Sequence, residues 1–79
     1  MEIKIIGKNS SNRIKLQKNI EKCMKEIEEN LKVEICEDDK EIQKYNISNT
    51  PALVINDKVV SQGKVLTDRE IKKYLKLLA

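Results

Sequence analysis

Seventy-nine residues, 39% of them hydrophobic and 37% charged, suffice for one small domain with a single core, without a second domain or a large enclosed cavity. The net charge is +3, but fourteen of the sixteen cationic residues are Lys interleaved with Glu, and Tyr is present twice without Phe or Trp. That is the pattern of solvated helix faces, not of a nucleic-acid groove lined by stacking aromatics. Histidine is absent and cysteine occurs twice, which excludes His-based triads and His-ligated metal sites and makes a poor zinc set.

The chain opens on an expected strand, Met1 to Ile6, in which Ile3 and Ile5 alternate with Glu2 and Lys4 before Gly7 stops the run. Its strand character argues against a signal peptide, and no stretch approaches the ~20 apolar residues of a membrane span. A polar loop follows, Lys8-Asn9-Ser10-Ser11-Asn12, rich in residues that cap helices. From Ser11 to Asn30 the period turns helical, with Ile14, Leu16, Ile20, Cys23, Met24, Ile27 and Leu31 on one broad stripe and Asn30 as the expected C-cap.

A second strand is expected over Lys32 to Cys36, with Val33 and Ile35 on one face and Cys36 on the other. The carboxylates of Glu37, Asp38 and Asp39 suit a helix start, so a short helix over Asp39 to Tyr45 follows, turning Ile42 and Tyr45 inward. After the loop Ile47-Ser48-Asn49-Thr50-Pro51, Ala52 to Ile55 and Lys58 to Ser61 form a hairpin around Asn56-Asp57, residues that tolerate the positive φ of a tight turn. Gly63 ends the last strand. Thr67-Asp68-Arg69-Glu70 reads as a capping box opening a final helix that buries Ile71, Tyr74, Leu75 and Leu78.

The order is βαβαββα: an α/β domain over residues 1–79, with a four-stranded mixed sheet packed with three helices. The first two strands, joined through a helix, should be parallel with a right-handed crossover. This order, with Pro51 directly before the third strand, resembles a minimal thioredoxin or glutaredoxin fold. More closely, the chain is similar to the very small thioredoxin-like proteins called redox-active disulfide proteins. Gly7, Thr50-Pro51-Ala52-Leu53-Val54-Ile55 and Gly63-Lys64-Val65 carry the resemblance. It implies that Pro51 is a cis-proline facing the site, leaving the backbone of Thr50 free to pair with an extended peptide. By itself, the sequence also allows a trans-proline at the start of an edge strand.

Members of that family carry Cys-x-x-Cys three residues after the glycine ending the first strand. Here those two positions hold Ser10 and Arg13. The chemistry needs a thiolate at the first position to attack a disulfide sulfur; a serine hydroxyl does not ionise near pH 7 or form a disulfide, and arginine cannot resolve one. No ordinary disulfide oxidoreductase activity is expected. What is left is a helix N-terminus flanked by Lys8, Ser10, Ser11, Asn12 and Arg13, a place that favours anions. One reading docks a small anion or acidic peptide between this loop and Thr50-Pro51. The other has Ser10 or Ser11 capping the helix, with Lys8 and Arg13 solvated.

Cys23 lies about 12 residues into the first helix, ~18 Å from its start, whereas Cys36 ends a strand at the same sheet edge as Gly7. The two are too far apart to bridge. Cys23 reads as a packing residue. Cys36 is the candidate lone thiol, its reactivity blunted by Glu37, Asp38 and Asp39, which would raise its pKa.

The leading expectation is a non-catalytic thioredoxin-like binding module in a cell-redox context. Its partner would be a peptide, a protein, or a small anionic or thiol ligand, and it would need no cofactor, metal, nucleic acid or membrane. Alternatives are a single-thiol redox protein using Cys36, a transferase in which Ser10 contacts a low-molecular-weight thiol, or an assembly partner docked through a strand edge. Two cysteines without a disulfide framework suit the cytoplasm, and a monomer is expected.

Overall fold

The computed structural model describes residues 1–27 and 31–78. Strand β1 (Glu2–Ile6) leads to helix α1 (Ser11–Glu26), strand β2 (Lys32–Cys36) and the short helix α2 (Asp39–Lys44). The hairpin β3 (Ala52–Ile55) and β4 (Lys58–Gln62) follows, and helix α3 (Asp68–Leu78) closes the chain. The sheet order is β2-β1-β3-β4. β1 runs parallel to β2, with Ile6 opposite Cys36, and antiparallel to β3, with Ile6 opposite Ala52. β3 and β4 are antiparallel.

Placing β1 and β3 at the centre explains their composition. Ile3, Ile5 and Ile6 in β1 and all four residues of β3 are buried, because helices cover both faces of these strands and an apolar run suits them better than strict alternation. On one face Ile3, Ile5, Leu53 and Ile55 pack with Leu16, Ile20 and Cys23 of α1, Leu66, and Ile71 and Leu75 of α3. On the other, Ile6, Cys36, Ala52 and Val54 pack with Ile47, beside Ile42 and Tyr45. Each fully buried aliphatic side chain contributes roughly 1.5–3 kcal/mol.

α1 stops earlier than its periodicity predicts. Ile27 leaves the helix with φ −105° and ψ 125°, while its N–H still donates to the Cys23 carbonyl at 3.2 Å. Sixteen residues of helix already span about 24 Å, more than the roughly 17 Å of a five-residue strand. Another turn would overshoot the sheet end where Lys32 N–H donates to the Met1 carbonyl at 3.1 Å. The expected cap at Asn30 lies outside the described residues.

Two apolar residues behave differently from the pattern. Ile35 belongs to edge strand β2 and stays 39% exposed, while Ile14, at 37%, falls off the buried stripe of α1. The hairpin turn matches its sequence: Asn56 and Asp57 take φ 48° and 66°, both positive as a type I′ turn requires. Asn56 also locks the turn to the start of β1, its N–H donating to the Glu2 carbonyl at 2.9 Å and its Oδ1 accepting from Glu2 N–H at 3.0 Å. On the α2 face Tyr45 accepts a hydrogen bond from Lys4 Nζ at 3.3 Å and donates to Asp57 at 2.8 Å, joining β1, α2 and the hairpin turn.

The capping box at α3 is reciprocal. Thr67 Oγ1 accepts from Glu70 N–H, and Glu70 Oε1 accepts from Thr67 N–H, each at 3.2 Å. Asn19 Nδ2 donates to the Leu66 carbonyl at 2.8 Å, and Lys72 pairs with Glu26, so the lead-in to α3 and its first half are tied to α1. Thr67→Ala is expected to lower the stability by about 0.5–2 kcal/mol, read as a reduced urea midpoint with an unchanged slope. An unaltered midpoint would show that the cap contributes nothing.

Candidate functional site

The site is built where β1 ends. Gly7 is buried, its N–H donating to the Cys36 carbonyl at 2.9 Å, and its φ of 151° lies where side chains rarely go. A Cβ there would stand 3.3 Å from Thr50 Cβ, 3.4 Å from Pro51 Cα and 3.6 Å from Arg13 Cγ. A side chain there would press on the loop before β3, while the Arg13 stem at the start of α1 lies at ordinary contact distance. Of the expected site residues, Arg13, Thr50 and Pro51 are brought together here.

Ser10 is the N-cap of α1. Its extended backbone turns Oγ back to accept from Arg13 N–H at 3.2 Å, and its carbonyl accepts from Ile14 N–H at 3.0 Å. Lys8, Ser10, Ser11 and Asn12 are exposed, and the first turn carries no carboxylate. Arg13 is another matter. The expectation that it is solvated fails: only 8% of it is exposed. Its Nη1 donates to Glu37 Oε1 and its Nη2 to Asn9 Oδ1, both at 3.2 Å, and Nε is buried without a hydrogen bond among the described residues. The sequence did carry a signal. Residues 13, 16, 20, 23 and 27 share the helix stripe, so Arg13 sits one turn above Leu16 on the face turned to the sheet.

Across from α1, the Thr50–Pro51 peptide is cis. Thr50 is exposed and Pro51 buried. The loop is held from β4: Gly63 N–H donates to the Pro51 carbonyl at 2.9 Å, and Gln62 Oε1 accepts from the N–H groups of Ser48 at 2.8 Å and Asn49 at 3.4 Å. Gln62 was not singled out by sequence, since nothing in an exposed Gln at a strand end marks it as a clamp for a loop thirteen residues earlier.

The two thiols take no part in this junction. Both are free and buried, Cys23 in the cluster under α1 and α3 and Cys36 in the cluster on the α2 face. Cys36 shares the sheet end with Gly7 through its carbonyl, but its side chain belongs to the opposite apolar layer from α1. Burial is the main cause pushing its thiol above the ordinary value, followed by Glu34 and Glu41, with Lys4 opposing and Asp38 adding a little. The expected direction holds, but of the three expected neighbours only Asp38 contributes: their side chains are exposed, and desolvation dominates. Burial likewise raises Cys23, whose Sγ donates to the Asp68 carbonyl at 3.2 Å.

Electrostatically the site end is balanced. Glu37, Asp38 and Asp39 follow β2 directly, and Glu37 matches the charge of Arg13. Among the described residues no group of three or more His, Cys, Asp or Glu side chains is placed to hold a metal ion, and no helix is long and apolar enough to cross a membrane.

A glycine-ended β1, an N-capped helix after it and a cis-proline leading into a hairpin define a thioredoxin-like α/β protein. A family model described as the thioredoxin domain matches residues 1–76, and the chain belongs to that redox-related family. A comparison with curated proteins found no match.

Two outcomes follow from this geometry. Gly7→Ala should destabilise the fold by roughly 1–3 kcal/mol, because the new methyl meets Thr50 and Pro51 at a strained φ; chemical denaturation at the wild-type midpoint would refute the close approach. Both thiols should resist alkylation in the folded protein and react in urea. Because burial raises both thiols above their ordinary value, the stability they contribute is fully present below the unfolded thiol range, about pH 8.5, and lost as pH rises through the folded values. A midpoint that climbs between about pH 8 and 10 would contradict that sign.

Proposed function

We propose that the chain is a non-catalytic binding module in a cell-redox setting, acting in the cytoplasm without dithiol chemistry. It docks an extended segment along Thr50 and Pro51, flanked by Lys8 and Ser10 to Asn12. The observation that carries this reading is the use made of positions 10 and 13. Ser10 caps α1 and Arg13 is buried against Glu37 and Asn9, so neither supplies a nucleophile. Disulfide exchange requires an accessible thiolate, and the buried, pKa-raised Cys36 on the α2 face is a poor source of one. Thr50, exposed beside a buried proline, offers a backbone edge to a peptide.

The pairing of Arg13 with Glu37 also weighs against a small anion as the ligand, because the cation that would draw it is already matched and the β2–α2 connection is acidic. An extended peptide, held by backbone hydrogen bonds more than by charge, fits the balanced surface better. A chromogenic-disulfide or insulin reduction assay is expected to read background with the wild-type protein. Turnover that Cys36→Ser abolishes would replace this reading with that of a single-thiol enzyme. Amide shifts confined to β4 or α3 on titration with lysate fractions would instead favour an assembly role.

A further inference from the structure

We infer that Arg13 is a positioning residue, a non-covalent tie that fixes the β1–α1 loop to the end of β2 and so sets the shape of the surface facing Thr50–Pro51. The inference rests on the reading that this end of the sheet carries the binding site. Three segments meet on one side chain. The stem passes beside Gly7, with Cγ 3.6 Å from where a Cβ on that residue would stand. One terminal nitrogen donates to Glu37, the residue after β2, and the other to Asn9, in the middle of the loop. The backbone N–H of the same residue donates to the cap oxygen of Ser10. Asn9 and Ser10, the last residues before α1, are thus both held by Arg13, one through its side chain and one through its main chain.

Chemistry favours arginine for this work. The guanidinium is planar and always charged, and presents its donors in a rigid fork, so it can hold two acceptors at a fixed separation where a lysine ammonium is a single flexible point. Burial of the cation at 8% exposure is tolerable only because an anion and a neutral acceptor meet it. Glu37 is the exposed partner, with 56% of its side chain accessible, so the rigid member is the arginine and the tie is anchored from inside the fold. A residue serving only to fill the core beneath α1 would need neither acceptor.

The test uses amide hydrogen exchange on the unliganded protein, so it can succeed or fail whether or not a peptide ligand is ever found. The reporters are the hydrogen-bonded amides of Gly7, Arg13 and Ile14, with Asn56 and Ile71, bonded at other places in the fold, as controls. Asn9→Ala removes one arm and leaves the ion pair; Arg13→Lys keeps the charge and loses the fork. Each is expected to speed exchange at the three reporters by about tenfold, with the controls moved less than about twofold. Arg13→Met, which keeps much of the buried stem, should do the same or more. Reporters that stay protected in Asn9→Ala and Arg13→Lys would overturn the proposal. So would a uniform rise at all five amides, which would make Arg13 a contributor to global stability alone. Should Arg13→Met fail to fold, the first two variants still decide the question.

Discussion

Just past the end of β1, a side chain at Gly7 would press on the loop into β3 and be held at a φ that side chains rarely adopt, and much of what surrounds it depends on that. Strand β1 is central and hydrogen-bonded on both sides, so its C-terminal end cannot shift to relieve a clash. The chain must leave it at once, because α1 starts four residues later. At the same point the loop into β3 must come close enough for Ala52 to pair with Ile6. A residue without Cβ lets the Thr50–Pro51 loop come this close without displacement, and its φ of 151°, rarely open to other residues, turns the chain out of the sheet. The junction is then secured from three directions: by the Cys36 carbonyl on Gly7, by Ser10 and Arg13 across the first turn of α1, and by Gly63 and Gln62 on the proline loop.

None of those ties is covalent, and this bears on what the site can do. In dithiol chemistry the residues at the start of α1 exchange bonds, so they must be free to change partners. Here they are engaged in the fold. Ser10 satisfies a backbone donor at the helix start that would otherwise be orphaned, and Arg13 would leave a buried cation unmatched if it turned away from Glu37. On the proposed reading, binding without redox change takes the place of exchange at these positions. Cys36 does not escape this logic, since its sulfur lies in an apolar layer with Ile6, Ile47, Ala52 and Val54 and favours the protonated form.

Much of the fold was legible because local signals agreed with one another. Asn56-Asp57 between two apolar runs can form little but a tight hairpin, and Thr67 with Glu70 announces a helix start by its own hydrogen bonds. β3, with four apolar residues in a row, was legible as one strand of that hairpin, though not as a central strand covered on both faces. What escaped the reading was set by tertiary geometry. The length of α1 is fixed by the height of the sheet, which apolar periodicity beyond Glu26 cannot report. Ile35 keeps strand periodicity yet stays partly exposed because β2 is an edge. Arg13 was legible in position but not in role: its spacing from Leu16 places it on the buried stripe, yet charge argues for solvent until Glu37 and Asn9 are known to be within reach. Gln62 gave no signal, because the backbone donors its side-chain oxygen accepts from, Ser48 and Asn49, lie on a loop that only the folded sheet brings near.

The misreading of Arg13 also shifts the picture of the ligand. A helix N-terminus beside two free cations would attract anions, and the sequence presents Lys8 and Arg13 as such a pair. Once Arg13 is matched by Glu37, the remaining exposed charges of the two connections are Lys8 and Lys40 against Asp38 and Asp39, so long-range attraction for an anion largely cancels. Selectivity would then come from short-range interactions: the exposed backbone at Thr50, the exposed hydroxyls and amide of Ser10, Ser11 and Asn12, and the shape imposed by the buried proline. On the proposed reading, such a surface would recognise an extended main chain more readily than a particular charge. A rigid arrangement of its two walls would serve that end, because every hydrogen bond to a peptide backbone demands that donor and acceptor already stand at the right separation.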